Sequence, residues 1–272
     1  MPERPVALLT GAARRLGREI ALHLAAHGWD ICIHYFQSAD DAQATLRDAL
    51  EFGGRAELLR GDLADESTCR ELVPRAVTAM GRLDAVVNNA SLFEYDDVDT
   101  VTHESMERHW RSNTFPAIAM ARALHRHVMS RSATHAIQTS ACVVNLLDQK
   151  LWNPNPDYFS YTLSKAALET ATRLLAQSLA PHVRVVGVAP GVTLPSGPMS
   201  DADYAQAAAM TPLGRSSTPI DIARAVAYLL DASAVTGTTL LVDGGQHMSH
   251  QARDVMFLAS QTTSRPTSDR KA

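Results

Sequence analysis

The stretch Val6-Ala-Leu-Leu-Thr10-Gly11-Ala-Ala-Arg14-Arg15-Leu16-Gly17-Arg-Glu-Ile20 decides the fold. An apolar run breaks at a glycine, and Leu16, Ile20 and Leu24 then recur at helical spacing, which reads as strand, glycine turn, helix. Glycines in such a turn let the backbone approach a diphosphate, while the helix N-terminus offers N–H donors and positive potential. The competing reading is an ordinary turn whose glycines serve only helix packing.

The same alternation continues along the chain. Short β-rich runs fall at residues 6–10, 31–35, 56–60, 83–88, about 142–147, 183–189 and 239–242, with helical periodicity between them. This predicts an α/β fold, a single Rossmann-like doubly wound domain over residues 1–248 with a seven-stranded parallel sheet and right-handed crossovers. Residues 249–272, rich in Ser, Thr, Gln and Arg, are expected to form a flexible polar tail. Its apolar cluster, Met256-Phe-Leu258, would alternatively dock on a neighbouring subunit.

Composition narrows the function. With 272 residues, 46% hydrophobic, and 25 Lys+Arg against 29 Asp+Glu for a net charge of −4, the chain is neither disordered nor polybasic, so nucleic acid is not an expected partner. Three cysteines, Cys32, Cys69 and Cys142, without CxxC spacing support neither a disulfide framework nor a zinc site and fit a reducing cytoplasm. No run approaches eighteen apolar residues, so no membrane span is expected. The histidines are scattered, and His125 and His127 point to different helix faces, so no metal site is expected.

Two further motifs follow the glycine turn in order: Asn88-Asn89-Ala90 at the end of the fourth strand, and Tyr161-Thr-Leu-Ser-Lys165 at the head of a helix. Four residues apart, Tyr161 and Lys165 share a helix face, so the ammonium is expected to lower the phenol's pKa. A free phenol near pKa 10 carries protons poorly at neutral pH; beside a cation it could protonate the atom next to a carbon that receives hydride. Taken with Pro190-Gly191, Asp243-Gly-Gly245 and Asp62-Leu63, these motifs resemble the short-chain dehydrogenase/reductase family from Val6 to about Met248. The resemblance implies that Gly11, Leu16, Gly17, Asn89, Ala90, Pro190, Gly191 and Thr193 meet the cofactor. It further implies that Asp62 and Leu63 flank the adenine, that Lys165 holds the nicotinamide ribose and that Asn113 bridges a water to Lys165, although a mid-helix Asn can also be structural.

The chain departs from that family at position 148, where Asp148 replaces the usual Ser thirteen residues before the Tyr. A carboxylate repels a carbonyl oxygen but suits a ring with basic nitrogens, to which it can donate a proton or from which it can accept hydrogen bonds; otherwise it caps a turn. Together with Asn-Asn-Ala-Ser91-Leu-Phe93, Asn145-Leu-Leu-Asp148 and the His34 segment, Asp148 gives the chain the look of the pteridine reductase branch. That resemblance implies a catalytic set of Asp148, Tyr161 and Lys165, with Phe93 stacking on a pterin and Ser91 touching cofactor and pterin; Phe93 could also be core filler.

The second strand ends His34-Tyr35-Phe36-Gln37-Ser38 without an acid, so Arg15 and Arg14, together with His34 and Ser38, could hold a 2′-phosphate, and NADPH is the expected cofactor. Residues 194–211 are expected to form a helical flap over the substrate. The expected activity is NADPH-dependent reduction of dihydrobiopterin, dihydromonapterin or dihydrofolate by a homotetramer implied by the resemblance. The alternatives are an NADPH carbonyl reductase and a non-catalytic cofactor sensor.

Overall fold

A computed structural model describes residues 3–132, 141–195 and 199–258. The elements follow in order as β1 (Val6–Leu9), α1 (Arg15–Ala26), β2 (Asp30–Tyr35), α2 (Ala39–Leu50), β3 (Ala56–Arg60), α3 (Glu66–Met80) and β4 (Ala85–Asn88). Then come α4 (His103–His109), α5 (Phe115–Ser132), β5 (Ala141–Leu146), α6 (Phe159–Leu179), β6 (Val183–Pro190), α7 (Asp201–Ala209), α8 (Pro219–Asp231) and β7 (Thr239–Val242). All seven strands pair in parallel, in the order β3-β2-β1-β4-β5-β6-β7.

Alternation of side chains along buried strands divides the core in two. Val6 and Leu8 of β1, Val86 of β4, Val143 of β5 and Val185 of β6 face one way and pack with Leu72 and Val73 of α3, Met120 and Leu124 of α5 and Leu179 of α6. Ala7, Leu9, Val87, Val144 and Val186 face the other way, against Ile20 and Leu24 of α1 and Ile222 and Val226 of α8. Leu16, Ile20 and Leu24 thus meet the sheet along one stripe, as their spacing predicts. The chain winds outward from β1 to β3, then returns to start β4 on the other side of β1, which opens a crevice at the carboxyl ends of these two strands.

Strand ends differ from the sequence reading by one or two residues. Strand β1 stops at Leu9 because Thr10 turns and its hydroxyl accepts hydrogen bonds from the Asn89 and Ala90 amides at 2.9 and 3.0 Å. The larger correction concerns the tail. Residues 249–258 fold back on the domain instead of trailing away: Gln251, Val255 and Met256 are buried, and Met256 packs with Tyr158 and Tyr161 of the same chain. Partners about a hundred residues away hold this segment, and the cluster at 256–258 does not name them; residues 259–272 lie outside the described part. Among the described residues no helix is long and apolar enough to cross a membrane.

Candidate active site

The first half of the site is a groove lined by Gly11, Ala13 to Gly17, Tyr35 to Ser38, and Asn89 to Ser91. Gly11 adopts φ +62°, a left-handed conformation that favours glycine, and a Cβ on Gly17 would stand 2.2 Å from the Gly11 carbonyl. Asn89 Nδ2 donates to the carbonyls of Thr10 and Gly11 at 3.0 and 3.1 Å, so the Asn-Asn-Ala motif braces the glycine turn. Helix α1 begins with neither a side-chain cap nor an acid in its first turn, which leaves its positive end facing the groove. These features fit a dinucleotide diphosphate.

One residue expected to grip the phosphate in this groove, His34, has another task. His34 is buried; its Nδ1 accepts from the Gly11 amide at 3.2 Å and its Nε2 lies 3.1 Å from the Gly61 carbonyl. Burial pushes its pKa down to about 4, so it is a neutral bracket between two loops and not a phosphate ligand. Asp62 and Leu63, expected beside the adenine, directly follow Gly61; Asp62 Oδ1 accepts from the Ala64 amide at 2.9 Å and the Leu63 side chain is buried in the core. The exposed Arg14 and Arg15, with Phe36, Gln37 and Ser38, do line the groove. Arg15, at φ +53°, donates to the Pro195 carbonyl at 2.7 Å and so ties the groove to the loop after β6.

The second half is a cavity of about 260 Å³ that adjoins the groove at Arg15, Leu16, Asn89 and Ser91. Its walls include Phe93, Asp148, Tyr161, Lys165, Pro190, Gly191 and Thr193. Tyr161 donates its hydroxyl proton to Asp148 Oδ2 at 2.8 Å, while Asp148 Oδ1 accepts from the Lys150 amide at 2.8 Å and caps the short turn Gln149–Trp152. Asp148 thus caps a turn, as the alternative reading has it, and also meets the phenol. Removal from water raises the Asp148 carboxyl above its ordinary value.

The expected lowering of the phenol by its lysine is corrected. Lys165 Nζ donates to the Leu146 carbonyl at 2.7 Å and lies 5.8 Å from the centre of the Tyr161 ring. Burial and then the Asp148 charge push Tyr161 well above 10, and burial pushes Lys165 down to about 8. Asn113, in a wide helical turn before α5, is likewise committed: its Oδ1 accepts from the Leu92 amide at 2.6 Å and its Nδ2 donates to Leu92 O and Ser164 Oγ at 3.0 Å each. Its side chain anchors the Ser91-Leu92 loop to α6. Phe93 is partly exposed, stacks on Tyr158 with ring centres 4.2 Å apart, and meets Tyr161 edge-on at 4.7 Å, so it is a wall of the cavity and not core filler.

The remaining walls escape sequence reasoning. Lys150, Gln246, Gln251, Asp254, Val255 and Met256 line the cavity, the last four from the segment read as tail. The cluster at 256–258 was the only local signal. The expected flap is represented by α7, whose Tyr204 hydroxyl donates to the Thr193 carbonyl at 3.0 Å, and by Met199 in the cavity wall; residues 196–198 of the flap lie outside the described part.

The parallel sheet, the braced glycine turn and the Tyr-Lys pair beside it define a dinucleotide-dependent oxidoreductase. A family model described as enoyl-(acyl carrier protein) reductase matches residues 11–247, and the chain belongs to this family of short-chain dehydrogenases/reductases, which use NAD(P)H. A ketoacyl reductase assigned to the granaticin polyketide synthase of Streptomyces violaceoruber is 34% identical over 91% of this chain and 98% of its own length. The alternative dihydrofolate reductase 1 (FolM) of Brucella canis, solved with NADP, is 36% identical with a TM-score of 0.83, covering 92% of this chain and 97% of that one. Its Brucella suis counterpart, also with NADP, is 35% identical with a TM-score of 0.82, covering 92% of this chain and 98% of that one.

Proposed function

We propose that the protein reduces a dihydropterin or dihydrofolate with NADPH. The observation that carries this reading is the 2.8 Å hydrogen bond from Tyr161 to Asp148 on a cavity wall shared with Phe93. The likeness to two dihydrofolate reductases solved with NADP supports both substrate and cofactor. Arg14, Arg15 and Ser38 hold the 2′-phosphate in a groove whose second strand ends without an acid. Lys165 and Tyr161 orient the nicotinamide ribose.

NADPH, when bound, supplies the hydride to the carbon of a ring C=N bond. The adjacent nitrogen then takes a proton from Tyr161 Oη or from the Asp148 carboxyl, and the pair recovers it from solvent. A carboxyl raised by removal from water holds that proton closer to neutral pH than an exposed one does. Phe93 presents an aromatic face to a flat ring once Tyr158 yields its place. The same reading includes a homotetramer, which light scattering coupled to gel filtration checks.

A second reading, reduction of a ketoacyl group, is supported by the 34% identity to a ketoacyl reductase. Loss of NADPH absorbance with dihydrobiopterin, dihydromonapterin, dihydrofolate and a panel of simple ketones separates the two. Turnover of pterins, lowered about a hundredfold in Asp148→Ser, is the expected result; turnover of ketones alone, kept or raised in that variant, overturns it.

A further inference from the structure

The carboxyl-terminal segment contributes more than a wall. Arg253 donates through Nε to both carboxylate oxygens of Asp157 at 2.9 and 2.8 Å, and the Asp254 amide donates to Asp157 Oδ2 at 2.7 Å. The next charge inward is Lys150, whose side chain is only 4% exposed. Its ammonium donates to the Asp157 carbonyl at 2.6 Å and to Asp254 Oδ2 at 3.2 Å, and lies 5.4 Å from the centre of the Tyr158 ring. Met256 completes the contact, with its sulfur 3.4 Å from the Tyr158 hydroxyl.

Lys150 therefore reaches in two directions. Its ammonium is held by the carboxyl-terminal segment, and its backbone amide is held by Asp148 Oδ1 at 2.8 Å, while Asp148 Oδ2 accepts from Tyr161 at 2.8 Å. A cation this deep cannot turn to water when its carboxylate leaves, so the turn that carries it must shift or pay for an unpaired charge. We propose that residues 251–257 form a strap whose Asp254 clasps Lys150, and that this clasp positions Asp148 against Tyr161. Lys150 and Asp254 are thereby positioning residues for the proton-donating pair. The inference rests on that pair acting as proton donor in the proposed reaction.

The charge of Asp254 has a second consequence. The ionisable groups around Asp148 are Tyr161 and Lys165 from α6, Lys150 from its own turn, and Asp254 from the strap. Asp254 raises both Asp148 and Tyr161, whereas Lys150 lowers Asp148. Removing the Asp254 charge leaves Lys150 uncompensated, so the pair gives up its proton at lower pH.

The test uses full-length Asp254→Asn, Lys150→Met, the double variant and Asp254→Glu. Hydrogen exchange is the readout that needs no substrate. Asp254→Asn is expected to speed exchange about tenfold or more at residues 253–257 and also at 148–152. With substrate, the alkaline limb of kcat moves to lower pH and kcat falls while NADPH affinity holds. The double variant is no worse than the poorer single one, because both act through one clasp, and Asp254→Glu restores the limb. Faster exchange confined to the strap, an unmoved alkaline limb, or additive losses would each overturn the proposal. Should Lys150→Met fail to fold, Arg253→Gln loosens the strap from outside the buried pair and is expected to move the same readouts less. If no pterin is reduced, the functional reading falls by itself, and the exchange coupling together with the pH limb on whichever ketone is reduced still decides the clasp.

Discussion

The cofactor groove and the substrate cavity meet at Asn89 and Ser91, yet they are held by different means. In the groove, Thr10, Asn89 and a neutral His34 bind backbone groups of neighbouring strand ends. In the cavity, Lys150 and Lys165 are buried, with Asp148 beside them, and the wall is completed by a segment from the far end of the chain. Neutral side chains bonded to backbone cost little to bury, whereas charges out of water depend on their partners. The groove should accordingly respond to volume, and the cavity to charge.

Tyr161→Phe separates the two most sharply: kcat is expected to fall about 10²–10⁴-fold, the usual worth of a general acid, with little change in NADPH affinity. NADPH fluorescence alongside steady-state rates checks this, and a matching loss of NADPH binding would erase the division. Stability against pH comes next. His34, depressed to about 4 in the fold, contributes stability that is complete above about 6.5 and is lost as pH falls toward 4, a swing of roughly 3 kcal/mol. Denaturant midpoints of wild type and His34→Gln should converge over that window.

Lys165 gives the opposite window. Its folded pKa of about 8 lies below 10.5, so burying the cation is a burden at neutral pH that is relieved as pH rises through 8 toward 10.5. Lys165→Met should unfold at higher denaturant than wild type at pH 7, by roughly 3 kcal/mol before the lost Leu146 contact is counted, with the gap closing at alkaline pH. A gap independent of pH would remove the charge argument from the cavity.

In the groove, Gly17→Ala places a methyl carbon 2.2 Å from the Gly11 carbonyl and should cost about 1–3 kcal/mol in thermal unfolding and weaken NADPH binding. The smallest expected effect is in Arg15→Ala, where preference for NADPH over NADH drops about tenfold, measured by titration of both cofactors. An unchanged preference would shift the phosphate grip to Arg14 and Ser38.

The legibility of the two regions differs for the same physical reason. Gly11, Gly17 and the Tyr161–Lys165 pair sit within motifs whose partners are a turn away in the chain, so local spacing exposed them, while Asn89, which braces Gly11 from the neighbouring strand, was legible through its Asn-Asn-Ala motif. His34 carried a misleading signal: its place at a strand end suggested a phosphate ligand, but the direction of its ring depends on Gly11 and Gly61, which sequence does not bring together. For Asn113 the structural alternative is the one the fold fills, because Leu92 and Ser164 occupy its amide.

By itself, the sequence determined seven strands in a parallel α/β sheet, the dinucleotide turn and the Tyr-Lys pair, since side-chain period, glycine spacing and i to i+4 geometry are local quantities. Only the tertiary structure decided that Asp148 accepts the Tyr161 hydrogen bond, that Lys165 turns to the Leu146 carbonyl, and that Asp254 returns to Lys150. Those outcomes depend on which charges share a water-poor space, and that is settled by packing between segments far apart in the chain.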